Sequence, residues 1–71
     1  MNREEIGLNA GKIWKILSNN ERWEYKKLKK ISGLKDKELG AAIGWLAREN
    51  KLEMFEDGDD SYFFLIIDMY L

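Results

Sequence analysis

Histidine and cysteine are both absent from this 71-residue chain. The commonest general base, the thiol nucleophile and the usual zinc ligands are therefore missing together. Apart from the three tyrosines, hydroxyls are confined to Ser18, Ser32 and Ser61, none of them in the G-x-S-x-G setting that exposes a nucleophile on a strained turn. No glycine-rich loop suited to cradling phosphate is present. Carboxylates gather at Glu56-Asp57-Gly58-Asp59-Asp60. That segment lacks the alternating oxygen ligands, the glycine at the sixth position and the distal bidentate glutamate of a calcium loop. It reads as a solvated turn. The expectation is a non-enzymatic protein with no cofactor and no metal.

What remains for chemistry is charge. The formal net charge is −1, which conceals a segregation along the chain. Lys26 to Lys37 holds six lysines and one aspartate, a net +5, whereas Glu49 to Asp60 holds six acids and one lysine, a net −5. A surface built only for solubility mixes the two signs. The basic block is either a solvated face or the electrostatic footprint of a polyanion partner.

The stretch from Leu39 to Leu52 organises the elements that carry these charges. Leu39, Ala42, Ile43, Leu46 and Ala47 recur at the spacing of an amphipathic helix. The opposite side combines Lys37, Ala41, Gly44, Arg48 and Lys51, with Trp45 at its edge. Gly40 and Gly44 lie one turn apart in this helix, each costing about 1 kcal/mol relative to alanine. Their presence implies a close approach by a duplex, a partner protein or the chain's own hairpin.

Ahead of this helix, Asn2-Arg3-Glu4-Glu5 has the pattern of a helix start. Ile6, Ala10, Ile13 and Leu17 form an apolar stripe with Trp14 beside it, and Ser18-Asn19-Asn20 supplies a stop. Gly7 and Gly11 form a G-x-x-x-G pair, but Lys12, Lys15 and two glutamates exclude a membrane helix. The pair implies a shallow groove into which another element packs. Trp23-Glu24-Tyr25 reads either as a short strand or as the lead-in to a second helix. Tyr25, Leu28 and Ile31 then recur every three residues among the lysines, and Gly33 stands where a helix stop wants it. Leu34 plugs the short turn, and Asp36 and Glu38 suit the first turn of the third helix. Two helices joined by a short turn containing glycine form a helix-turn-helix pattern.

Beyond Leu52 the period changes. A candidate strand, an Asp-Gly turn and a returning strand rich in aromatic and β-branched residues form a hairpin. Helices over about 3–18, 24–32 and 36–50 are expected, with strands over about 52–55 and 61–67, all in one α+β domain. The longest apolar run, Tyr62 to Ile67, is too short to cross a bilayer, and no signal-type apolar core is read after the charged MNREE start. A soluble cytoplasmic protein with no membrane partner is expected.

Gly33-Leu34, Leu39 and the run Gly44-Trp45-Leu46-Ala47-Arg48-Glu49-Asn50-Lys51-Leu52 before the hairpin resemble winged helix-turn-helix domains. With Ile6-Gly7, Ala10-Gly11-Lys12-Ile13-Trp14 and Leu17 added, the likeness is closest to a group of small, functionally uncharacterised bacterial winged-helix proteins. It implies three helices followed by a β-hairpin wing. It also implies double-stranded DNA as a partner in transcription regulation, or alternatively a protein-interaction or dimerisation module. In helix-turn-helix proteins the first helix of the motif crosses the phosphate backbone and the second enters the major groove. Lys26, Lys27, Lys29 and Lys30 then contact phosphates, while Lys35, Lys37, Ala41, Gly44 and Arg48 face base edges. Trp45 is either an exposed interaction anchor or, as in winged-helix relatives, a residue packed beneath the hairpin. The acidic wing departs from the DNA-binding pattern, because carboxylates oppose the counterion release that drives such binding.

The last strand is apolar on both faces: Tyr62, Phe64 and Ile66 alternate with Phe63, Leu65 and Ile67. One face covers the helices, and the other needs a cover. The expectation is a homodimer with Phe63, Leu65, Ile67, Met69 and Tyr70 at its interface. Folding back of the C-terminal residues on a monomer is the alternative.

Overall fold

The computed structural model describes residues 1–66. Helices α1 (Arg3–Leu17), α2 (Tyr25–Ser32) and α3 (Asp36–Arg48) combine with strands β1 (Trp23–Glu24), β2 (Leu52–Asp57) and β3 (Asp60–Leu65). Local chemistry sets each boundary. The Asn2 side chain caps α1 by accepting from the Glu5 backbone N–H at 2.8 Å. Asn20, at φ +62°, turns the chain out of α1. Gly33, at φ +72°, ends α2, and its N–H donates to the Lys29 carbonyl at 3.0 Å. α3 stops at Arg48 in a Schellman arrangement. There, Lys51 N–H donates to the Leu46 carbonyl at 2.9 Å and Asn50 N–H to the Ala47 carbonyl at 3.1 Å, with Asn50 at φ +56°.

Core residues come from every helix. α1 contributes Ala10, Ile13 and Leu17, and α3 contributes Leu39, Ala42, Ile43 and Leu46. α2 corrects the expected stripe: Leu28 and Ser32 are buried, whereas Ile31 is 61% exposed. A strict three-residue spacing drifts around a helix of 3.6 residues per turn, so the position above Tyr25 and Leu28 is Ser32. Its hydroxyl donates to the Lys29 carbonyl at 3.2 Å and accepts from the Leu34 N–H at 3.3 Å, so it is buried without loss of partners. Leu34 plugs the turn, 8% exposed.

The sheet has the order β1-β3-β2, all antiparallel. Trp23-Glu24 is therefore a strand, and Tyr25 already belongs to α2. Asn19 holds this short strand in place: its side-chain oxygen accepts from Trp23 Nε1 at 3.1 Å and from the Glu21 N–H at 3.0 Å. The hairpin is tighter than its five polar residues suggested. Asp57 pairs with Asp60, leaving Gly58-Asp59 as the loop, with Gly58 at φ +63°. Glycine thus occupies the first central position, as in a type II′ turn.

Register decides the faces. Phe63 lies opposite Met54 and Trp23, and Leu65 opposite Leu52. Phe63 and Leu52 are buried against the helices, and Leu65 packs on the same core. Phe63 and Leu65, expected at a subunit interface, instead close the protein's own core. Ile67, Met69 and Tyr70 lie outside the described residues. The outward face carries Phe55, Tyr62 and Phe64. Phe55 and Tyr62 stack at 5.2 Å, and Phe64 meets Phe55 edge-on at 6.1 Å. The Arg22 guanidinium caps them, 5.0 Å from the Phe55 ring centre and 5.5 Å from that of Phe64.

Candidate nucleic-acid interface

The α2–α3 corner is fixed by three side chains. The Tyr25 hydroxyl donates to Asp36 Oδ1 at 2.8 Å, and Lys29 Nζ lies 3.1 Å from the same oxygen. The Tyr25 ring also packs against Phe63, at 6.3 Å between centroids. One aromatic residue thus ties the first residue of α3 to α2 and to the sheet. The hydrogen bond from Tyr25, assisted by Lys29, holds the Asp36 carboxyl below the usual aspartate range. Partial burial and the facing carboxylate raise the Tyr25 phenol above its usual value. Lys35 precedes α3, and its backbone N–H donates to Glu38 Oε1 at 2.9 Å.

This corner sorts the expected phosphate-contacting lysines. Lys26, Lys27 and Lys30 are exposed on α2. Lys29 is half-buried and committed to Asp36, which makes it a brace for the corner. On α3, Lys37, Gly44 and Arg48 are exposed and Ala41 is half-exposed. At about 100° per residue they form one stripe opposite the buried Leu39, Ala42, Ile43 and Leu46. Lys35 is exposed at the entry to the same helix.

The glycines divide into two kinds. A Cβ at Gly40 or Gly44 would meet nothing within 4 Å. The hairpin is therefore not what approaches them, and both open onto solvent. Gly7 of α1 is different: a Cβ there would lie 3.7 Å from the Trp45 ring. Trp45 rests across α1, half-buried against the core, which replaces the expected position beneath the hairpin. Gly7, Gly11, Trp14, Trp45 and Leu46 line a groove of about 260 Å³ between α1 and α3, the shallow groove anticipated from the G-x-x-x-G pair.

Residues 1–65 match the family described as winged helix-turn-helix domain (DUF2582). The chain belongs to this family. An uncharacterised protein of Methanocaldococcus jannaschii, MJ1608, is 36% identical over 55 residues, covering 75% of this chain and 79% of the relative. Protein BT2368 from Bacteroides thetaiotaomicron, solved in solution by NMR, superposes with a TM-score of 0.80 at 29% identity, covering 92% of this chain and 79% of that one. In winged-helix terms, α2 and α3 are the helix-turn-helix and β2–β3 is the wing.

The wing is acidic in space as in sequence. Glu53, Glu56, Asp57 and Asp59 are exposed, with Asp60 half-buried. Asp60, Glu24 and Asp57 add to burial in pushing the Tyr62 phenol up, so the outward face of the sheet sits in a negative field. Sequence spacing gave no hint of the Tyr25–Asp36 bond across eleven residues or of the Arg22 lid. No helical or strand period connects those positions, and only the folded corner and the three-stranded register bring them together.

Proposed function

We propose that this winged-helix domain is a non-enzymatic double-stranded DNA-binding module of the transcription-regulator type. In this reading α2 lies on the phosphate backbone and the outer stripe of α3 enters the major groove. Lys26, Lys27 and Lys30 supply phosphate contacts, and Lys35 and Lys37 extend them to the start of α3. The observation that carries the reading is the open, small-residue centre of that stripe. Gly40, Ala41 and Gly44 lie between Lys37 and Arg48, and neither glycine is demanded by packing within the chain. Such a surface lets a duplex come close to the helix backbone. Arg48 is the one guanidinium on the stripe, so base readout is sparse and affinity is dominated by phosphate.

The acidic wing favours a second reading, a protein-interaction module that does not bind DNA. Fluorescence anisotropy with a duplex of random sequence separates the two. Binding by the DNA module weakens steeply with salt, log K falling with log salt by about 0.9 for each phosphate neutralised. Replacing Lys26, Lys27 and Lys30 together with Glu abolishes it. No duplex binding even at low salt removes the proposal and leaves the interaction module.

A further inference from the structure

Helix α1 presents a solvent face for which the described structure supplies no partner. Ala10, Ile13 and Leu17 point into the core. On the opposite side Glu4, Leu8, Gly11 and Lys15 form an exposed stripe. Leu8 is 70% exposed and Trp14, on the flank of the stripe, 45%. A Cβ at Gly11 would meet nothing within 4 Å, and the groove under Trp14 and Trp45 opens beside it. A prominent knob and an empty notch therefore stand one turn apart on the same face.

Their order along the helix is self-complementary. Reversing the helix about the midpoint between Asn9 and Ala10 carries Leu8 onto Gly11 and Glu4 onto Lys15. A two-fold axis at that midpoint lays a second α1 antiparallel on the first. Each Leu8 then enters the notch at Gly11 of the other copy, and each Glu4 faces a Lys15. Glu5 and Lys12 lie on one flank of the stripe and are not mates under this reversal, which carries Glu5 onto Trp14 and Lys12 onto Gly7. Neither ion pair among the described residues uses any of these four charges. Acid at the start of a helix and base at its end also suit the helix dipole, so charge alone does not identify an interface. The coincidence of knob, notch and charge under a single reversal does, because an isologous contact requires residue i to meet j while j meets i.

We propose that this face of α1 is the surface through which two copies of the chain associate as an antiparallel dimer. The outward face of the sheet is a poor competitor for that role. Glu24, Glu53, Asp57 and Asp60 share it with Phe55, Tyr62, Phe64 and the capping Arg22, and two such faces together would gather eight carboxylates against two guanidiniums. The α1 interface is independent of duplex binding. It is also small, since a 15-residue helix offers a strip about 22 Å long, so association is weak and concentration-dependent.

Sedimentation equilibrium of the full chain from about 10 µM to about 1 mM reads it directly. The mass is expected to rise toward twice that of the monomer. Glu4→Lys alone and Lys15→Glu alone are each expected to remain monomeric, since each sets like charges face to face. Their equimolar mixture is expected to recover association, because in the mixed pair every lysine meets a glutamate. Gly11→Leu fills the notch and is also expected to give a monomer, with thermal unfolding confirming that it folds. A parent chain that stays monomeric throughout overturns the proposal. So does self-association that survives Glu4→Lys or Gly11→Leu, or that is lost on Phe64→Lys instead, or a charge-swapped mixture that does not associate.

Discussion

Tyr25 and Asp36 decide how α2 meets α3, and their protonation ties that corner to pH. The Asp36 carboxyl titrates below its ordinary range because Tyr25 and Lys29 favour its charged form. Its contribution to stability is present above the ordinary aspartate range and is lost as pH falls through the lowered value. The Tyr25 phenol is shifted upward, chiefly by burial. Its contribution is complete below the ordinary phenol value of 10.0 and is lost as pH rises through the raised one. Tyr25→Phe is therefore expected to lower the melting temperature near neutral pH and to converge with the parent in strong acid, where Asp36 is protonated in both. An NMR titration of the Asp36 carboxyl checks the cause: its midpoint is expected to move up toward the ordinary aspartate value in Tyr25→Phe. The same scale shows where spacing misled. Tyr25, Leu28 and Ile31 mark a plausible stripe, yet the third inward position is Ser32, a polar residue that a hydrophobic pattern passes over.

At the scale of elements, α3 carries two glycines that its packing does not need. Replacing Gly44 with Ala adds a Cβ into open space. It is expected to stabilise the fold by about 0.5–1 kcal/mol, seen as a rise of a few degrees in the thermal midpoint. If α3 lies close to a duplex, the same substitution weakens binding while stabilising the protein, and anisotropy on the melted-and-verified variant reads the two effects apart. Helix positions were legible in the sequence because caps and stops are local: Asn2, Asn20 and Gly33 each act within a few residues of themselves. The hairpin was legible for the same reason, although its loop narrowed to Gly58-Asp59 once Asp57 and Asp60 paired. β1 is not legible locally, because two residues carry no period. β1 exists because β3 offers it an edge, with Trp23 opposite Phe63 and Glu24 opposite Tyr62.

For the whole molecule, the separation of charge bears directly on what the domain binds. α2 and the start of α3 carry the lysines, and the wing carries the acids. Neutralising Asp57 and Asp59 together as Asn is expected to strengthen duplex binding about fivefold at low salt. The gain shrinks as salt rises. Unchanged duplex affinity would place the wing away from DNA. The variant is also expected to be slightly more stable, because Asp57 and Asp60 face each other across the hairpin and like charges directly opposite are unfavourable. Acids along β2 have a further effect, since Glu53, Glu56 and Asp57 line a strand at the edge of the sheet and discourage edge-to-edge pairing. Among the described residues no helix is long and apolar enough to cross a membrane.

The sequence by itself determined the order of helices and hairpin, the segregation of charge and a residue inventory without histidine or cysteine. Those properties depend on neighbours in the chain or on composition, which a linear string displays in full. Which apolar face of the last strand is buried was a tertiary decision, since a strand alternates identically whichever side meets the helices. Register placed Phe63 and Leu65 inward and left Phe55, Tyr62 and Phe64 outside under Arg22. The commitment of Lys29 to Asp36, the bed for Trp45 on Gly7 and the vacant surroundings of Gly44 were settled the same way. Each depends on the distance between elements far apart in the chain, which packing alone fixes.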